Sequence, residues 1–119
     1  MSTKLAVVSI WAEEVAAMVH FYRDIVGLHL LEHQGGRPHF DLNGVYLTIL
    51  KGRPMPAENA VPARFPLIAF AVVDLDAAVA RLQAHNVELP WGIEKDGASS
   101  WVMFHDPAGN LIELVRFQG

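Results

Sequence analysis

Apolar side chains recur along this chain in two rhythms, and the rhythms alternate. Val15, Met18, Val19 and Tyr22 fall at i, i+3, i+4 and i+7, the spacing that lines one face of a helix. Leu75, Ala78, Val79 and Leu82 repeat the pattern with every position offset by 60 residues. Each helix follows a run that reads as a strand, residues 4–11 in the first half and 66–73 in the second. Both runs are β-branched or apolar and lack internal glycine. Asp74 is a fitting N-cap, since its carboxylate accepts backbone N–H groups left without partners at a helix start. The first helix begins less cleanly, at Ala12-Glu13-Glu14, where early carboxylates suit the positive end of the helix dipole. Gly27 and Asn86 stand where a left-handed residue stops each helix.

Strand-like sequence follows both helices: 28–34, 38–41 and 45–51 in the first half, then 87–95, 99–105 and 111–117 in the second. The last strand of each half is preceded by a turn rich in residues that tolerate positive φ, Asp41-Leu42-Asn43-Gly44 and Asp106-Pro107-Ala108-Gly109-Asn110. The pattern is βαβββ twice, an α+β chain built as an internal repeat. The expected division is a first module over residues 1–51, a proline-rich linker over 52–64 and a second module over 65–119. Strand alternation then gives each strand two faces, one packed on a helix and one turned towards a partner sheet or a cavity.

Composition narrows the chemistry. At 119 residues with 52% hydrophobic and 18% charged residues, the chain suits one globular domain. The absence of cysteine removes disulfides, thiolate nucleophiles and thiolate-bound zinc. A net charge of −4 without a basic cluster argues against nucleic acid as a partner. No apolar run approaches the ~18 residues of a membrane span, and the first residues lack the apolar core of a signal peptide. A cytoplasmic protein is the expectation. No glycine-rich phosphate loop, nucleophile elbow or paired metal-binding histidine motif is present.

Three segments resemble the vicinal oxygen chelate superfamily, which groups glyoxalases, bleomycin-resistance proteins and dioxygenases. They are Phe21-Tyr22-Arg23-Asp24-Ile25-Val26-Gly27-Leu28 at the first helix end, Phe70-Ala71-Val72-Val73-Asp74-Leu75-Asp76 at the second strand–helix junction, and Phe104-His105-Asp106-Pro107-Ala108-Gly109-Asn110-Leu111-Ile112-Glu113-Leu114 at the closing hairpin. The resemblance implies two modules curved into half-barrels around a cleft, and a homodimer. It also implies four inward positions where metal-dependent relatives carry His, Gln or Glu. Counted from the helix starts and the glycine turns, they fall on Val7, Thr48, Leu67 and Glu113. Only Glu113 is an ordinary metal ligand, whereas an open divalent site needs about three. A shift of two residues reaches Leu5, Ser9, Phe65 or Ala69 and restores nothing.

The expectation is therefore a site with no metal cofactor. The alternative is a divalent metal relocated to His39, His105 and Glu113. His20 and His85 lie in or at the end of helices and face solvent. Glu113, between Ile112 and Leu114, is the candidate catalytic residue, because alternation turns it to the face opposite the helix. In apolar surroundings its pKa rises unless a donor pairs with it. The same alternation places Val7, Ser9 and Trp11 on the first strand, and Tyr46 and Thr48 on the fourth. On the fifth it places Leu67 and Ala69, and on the seventh Trp101, Met103 and His105. Such a surface suits a flat organic ligand, although aromatics at strand spacing are more often packing. The leading expectation is a protein that binds a hydrophobic or aromatic small molecule in a cleft. The competing ones are a lyase, isomerase or dioxygenase using a relocated metal or Glu113 as general base, and a structural or regulatory domain with a filled cleft.

Overall fold

Each helical stripe buries itself on a four-stranded sheet, and it does so twice. The computed structural model describes residues 5–31, 37–52 and 67–118. The chain divides into two compact units, Met1–Met55 and Pro56–Gly119. Most of the expected linker, residues 53–64, lies outside the described residues.

In the first unit β1 (Val7–Ala12) leads to α1 (Val15–His20), then to β2 (His29–Leu31), β3 (His39–Asp41) and β4 (Tyr46–Lys51). The sheet order is β1-β4-β3-β2, with β1 parallel to β4 and the other pairs antiparallel. Met18, Phe21, Tyr22 and Ile25 are buried on the helical side, as are Ile10, Phe40, Leu47 and Ile49 on the sheet. The Tyr22 and Phe40 rings meet at 6.0 Å between centroids.

The second unit repeats this plan. Its elements are β5 (Ile68–Ala71), α2 (Leu75–Ala84), β6 (Glu94–Lys95), β7 (Ser99–His105) and β8 (Leu111–Phe117). The order β5-β8-β7-β6, with β5 parallel to β8, matches the first sheet strand for strand. Leu75, Val79 and Leu82 of α2 are buried, as are Phe70, Val102, Phe104, Ile112 and Leu114 of the strands. The repeat read from helix spacing is thus a repeat of topology.

The capping expectations hold. The Ala77 N–H donates to Asp74 Oδ1 at 3.0 Å. Gly27 stops the first helical segment at φ 92°, and Asn86 follows α2 at φ 59°. Several features differ from the sequence reading. Strand β1 runs on through Ala12, so α1 starts at Val15 from a Glu14 that makes no side-chain cap. The helix then widens into a π-helical turn over Phe21–Val26, which brings the adjacent residues Phe21 and Tyr22 both into the core. Leu67 lies one residue before β5 rather than on it, and Val72 and Val73 lie beyond its end. The expected strand over 87–95 shrinks to Glu94–Lys95. Pro90 has no N–H for a ladder, and the Gly92 N–H turns back to the Leu89 carbonyl at 3.1 Å.

The β7–β8 hairpin is fixed by Asp106, which is only 4% exposed. Its Oδ1 accepts the N–H groups of Ala108 at 3.0 Å and Asn110 at 2.9 Å, and the Asn110 amide donates to Oδ2 at 2.9 Å. Replacing it, as Asp106→Ala, removes the acceptor of these part-buried bonds and is expected to cost about 2 kcal/mol in urea denaturation. Asp24 also carries several side-chain bonds, from Arg23 and His20, but on an exposed helix surface. Asp24→Ala is expected to leave the denaturation midpoint unchanged.

Candidate functional site

The candidate site rests on period-two alternation in two long strands. Along β8, Ile112 and Leu114 are buried towards α2 while Glu113 is half-buried on the other side. Along β7, Val102 and Phe104 are buried, whereas Trp101 and Met103 are half-buried and His105 is exposed. Cross-strand register then aligns the open face: Met103 and Ala69 flank Glu113, Ala71 and Trp101 flank Val115, and His105 pairs with Leu111. The carboxylate expected from sequence is therefore set in an apolar and aromatic row. Leu67, 46% exposed, precedes this row instead of belonging to it.

The first unit presents an open face of its own. Val7, Ser9 and Trp11 are exposed on β1, and Tyr46 is exposed on β4. Ser9 pairs with Thr48, and Thr48 with His39. Thr48 is buried, and its hydroxyl donates to the Pro38 carbonyl at 2.8 Å. His39 Nδ1 lies 2.8 Å from the Arg37 carbonyl, which can only accept, so Nδ1 carries the proton. The His39 ring meets the Tyr46 ring edge-on. Trp11 lies over Gly52, whose φ of 133° disfavours any side chain at that position.

These residues do not fit the divalent metal of the family's metal-dependent members. Thr48 has Ser9 as its strand partner and Glu113 has Ala69, while Val7 and Leu67 are aliphatic. The Thr48 hydroxyl is already committed to a backbone carbonyl. Among the described residues no group of three or more His, Asp or Glu side chains is placed to hold a metal ion. His20 and His85 are exposed, and His20 is bonded to Asp24 at 2.8 Å.

Electrostatics single out Glu113 within its row. Burial pushes its carboxyl above the ordinary carboxylate range, and the negative charge of Glu94 raises it further. Sequence reasoning missed Glu94. It lies in the two-residue β6, where alternation has too few positions to assign a face, and only its pairing with Trp101 places it. The β6–β7 turn that holds it there is closed by Asp96, whose Oδ1 accepts the N–H groups of Ala98 and Ser99, both at 2.8 Å.

The sign of the Glu113 shift gives a pH dependence. A carboxyl that holds its proton more tightly when folded favours the folded state at acid pH, and this contribution is lost as pH rises through the folded pKa. Glu113→Gln is expected to raise the melting temperature near neutral pH, and the gain should vanish below the ordinary glutamate range. Thermal melts across pH check this.

Comparison with known proteins agrees with this geometry. Residues 4–114 match the family model described as the Glyoxalase/Bleomycin resistance protein/Dioxygenase superfamily. The chain is 32% identical over 121 residues to the uncharacterized protein YaeR of Escherichia coli K12, covering 92% of each chain. Two solved structures share the fold. A glyoxalase/dioxygenase from Nostoc punctiforme superposes with a TM-score of 0.81 at 21% identity, covering 98% of this chain and 92% of that one. TnmS3, an antibiotic-binding protein from Streptomyces sp. CB03234, gives 0.79 at 23% identity with 98% of both chains covered. With repeat, topology and family model in agreement, the chain belongs to the glyoxalase/bleomycin-resistance/dioxygenase superfamily.

Proposed function

We propose that this protein binds a hydrophobic or aromatic small molecule without a catalytic metal. The observation that carries this reading is the open face of the second sheet. There Trp101 and Met103 stand half-buried beside Glu113, whose strand partners Ala69 and Met103 supply no His, Asp or Glu. A flat ring gains from dispersion and stacking on the indole, and Met103 adapts to its outline. Glu113 provides a polar point that fixes orientation. Ser9, Trp11 and Tyr46 give the first unit an exposed surface of similar character, whereas the buried Thr48 does not contribute to it. TnmS3 is named for antibiotic binding, which supports a sequestering role within this fold. A homodimer and a cytoplasmic location belong to the same reading. Among the described residues no helix is long and apolar enough to cross a membrane.

Enzymatic use of Glu113 is the second reading. Its raised proton affinity brings the carboxyl nearer the range in which a general base or acid works at neutral pH. In that case Glu113→Gln abolishes turnover. In a binder, Glu113→Gln leaves the affinity for neutral aromatic ligands largely intact.

Titration of the purified protein with a panel of flat aromatic compounds, read by tryptophan fluorescence, tests the proposal. Saturable quenching is expected. Trp101→Ala should weaken binding about tenfold, roughly the contribution of one stacked ring. Trp91→Ala should change nothing, because Trp91 is 54% exposed in the turn before β6. No response from any compound, or a stoichiometric metal retained through purification, would overturn the proposal.

A further inference from the structure

The hairpin that sets the register of the first sheet turns on Asn43-Gly44. Both residues are exposed, and both hold positive φ, 58° at Asn43 and 98° at Gly44. A two-residue hairpin loop of this kind needs that conformation at both positions, and Asn followed by Gly meets it best. The Leu42 N–H closes the loop on the Val45 carbonyl at 2.8 Å. Beyond it Asp41 pairs with Tyr46, Phe40 with Leu47 and His39 with Thr48. Phe40 and Leu47 are fully buried, so the length of this loop decides which side chains enter the core.

The dipeptide that suits the loop is also chemically labile. The backbone nitrogen that follows an asparagine can attack the side-chain Cγ, and a side chain on the following residue hinders that approach. Gly44 has none. The other described asparagines lack this combination. Asn86 shares the left-handed conformation at φ 59°, but the nitrogen after it belongs to the β-branched Val87 and donates to the Leu82 carbonyl at 3.0 Å. Asn110 is half-buried, its amide donates to Asp106 Oδ2 at 2.9 Å, and the next residue, Leu111, begins β8. At Asn43 the attack requires the loop to open. Opening breaks the Leu42–Val45 bond and leaves the core in place, a low-energy motion at an exposed loop tip.

We propose that Asn43 is a self-modification site, at which the first unit converts its own hairpin loop to isoaspartate. The Gly44 nitrogen bonds to Asn43 Cγ as the Cγ–Nδ2 bond breaks. The side-chain nitrogen leaves as ammonia, taking the proton given up by the Gly44 N–H. Water then opens the five-membered imide. Cleavage at Cγ leaves an aspartate, which tolerates the left-handed conformation and keeps the loop. Cleavage at the Asn43 backbone carbonyl carbon leaves isoaspartate, whose main chain runs through Cβ and Cγ and is longer by one methylene. That loop no longer matches the strands it joins, and the strain falls on the Asp41–Tyr46 and Phe40–Leu47 pairs. The reaction needs no ligand and stands apart from the small-molecule reading.

Incubation of the native protein in mildly alkaline buffer tests this, read by peptide mapping with mass spectrometry and by enzymatic methylation of isoaspartate. The peptide carrying Asn43 is expected to gain the mass that separates an acid from an amide at least about tenfold faster than the peptides carrying Asn86 and Asn110. Asn43→Gly retains a loop of the same class and should abolish the mass gain and the methylation of this peptide. The isoaspartate form, separated by ion exchange, should melt below Asn43→Asp, which has the same charge on an unlengthened backbone. Modification of Asn43 no faster than of the other two, or solely after denaturation in urea, overturns the proposal. An isoaspartate form as stable as Asn43→Asp overturns it as well.

Discussion

Everything distinctive about this chain follows from pairing the first strand of each unit in parallel with its last. A parallel pair cannot be joined by a tight turn, so the chain between must cross over, and the helix does so on one face. That face is then closed and apolar. The other receives whatever the alternate positions carry. In the second unit the β5–β8 register sets Ala69 beside Glu113. It thereby fixes the acid's apolar company. A slip of one residue would bury the carboxylate under α2 and expose Ile112 and Leu114, a loss of about 2 kcal/mol or more for each apolar side chain. The register is strongly determined, and the odd placement of the acid comes with it.

Most of the fold was legible because its signals are periodic. Helix stripes, the Asp74 cap and the Gly27 and Asn86 stops each depend on a few neighbouring residues, and the structure reproduces them. The departures occur where a local signal competes with packing. The π-helical turn keeps the 21–26 segment helical while letting consecutive aromatics share the core, a choice that hydrophobic spacing alone does not encode. The segment 87–93 is apolar enough to resemble a strand, yet Pro90 and Gly92 leave it without a continuous set of ladder donors.

The candidate site divides along the same line. Glu113, Trp101 and Met103 lie in long strands, where alternation assigns a face from sequence alone. Thr48 shares a face with its strand partner Ser9, but its burial and its bond to the Pro38 carbonyl depend on how β3 approaches. Glu94 was invisible because its position comes entirely from a two-residue strand held by the Asp96 turn. Short-range sequence patterns specify which face a residue occupies. They do not specify which distant residues share it.

Val7 and Leu67, aliphatic at positions where the resemblance implies metal ligands, bear on the acid that stands with them. Several carboxylates and imidazoles converging without an ion would repel and be costly to desolvate, so aliphatic replacements relieve the fold of that cost. Had the chain been selected only for stability, Glu113 would be the next residue to go, since burial already disfavours its charged form. Keeping a desolvated carboxylate beside a second one, whose oxygen lacks a donor, opposes that trend. Marginally stable proteins keep such a group most readily where a ligand compensates for it. The unfavourable electrostatics of this face are in that sense its most informative property. They mark where the second sheet gives up stability.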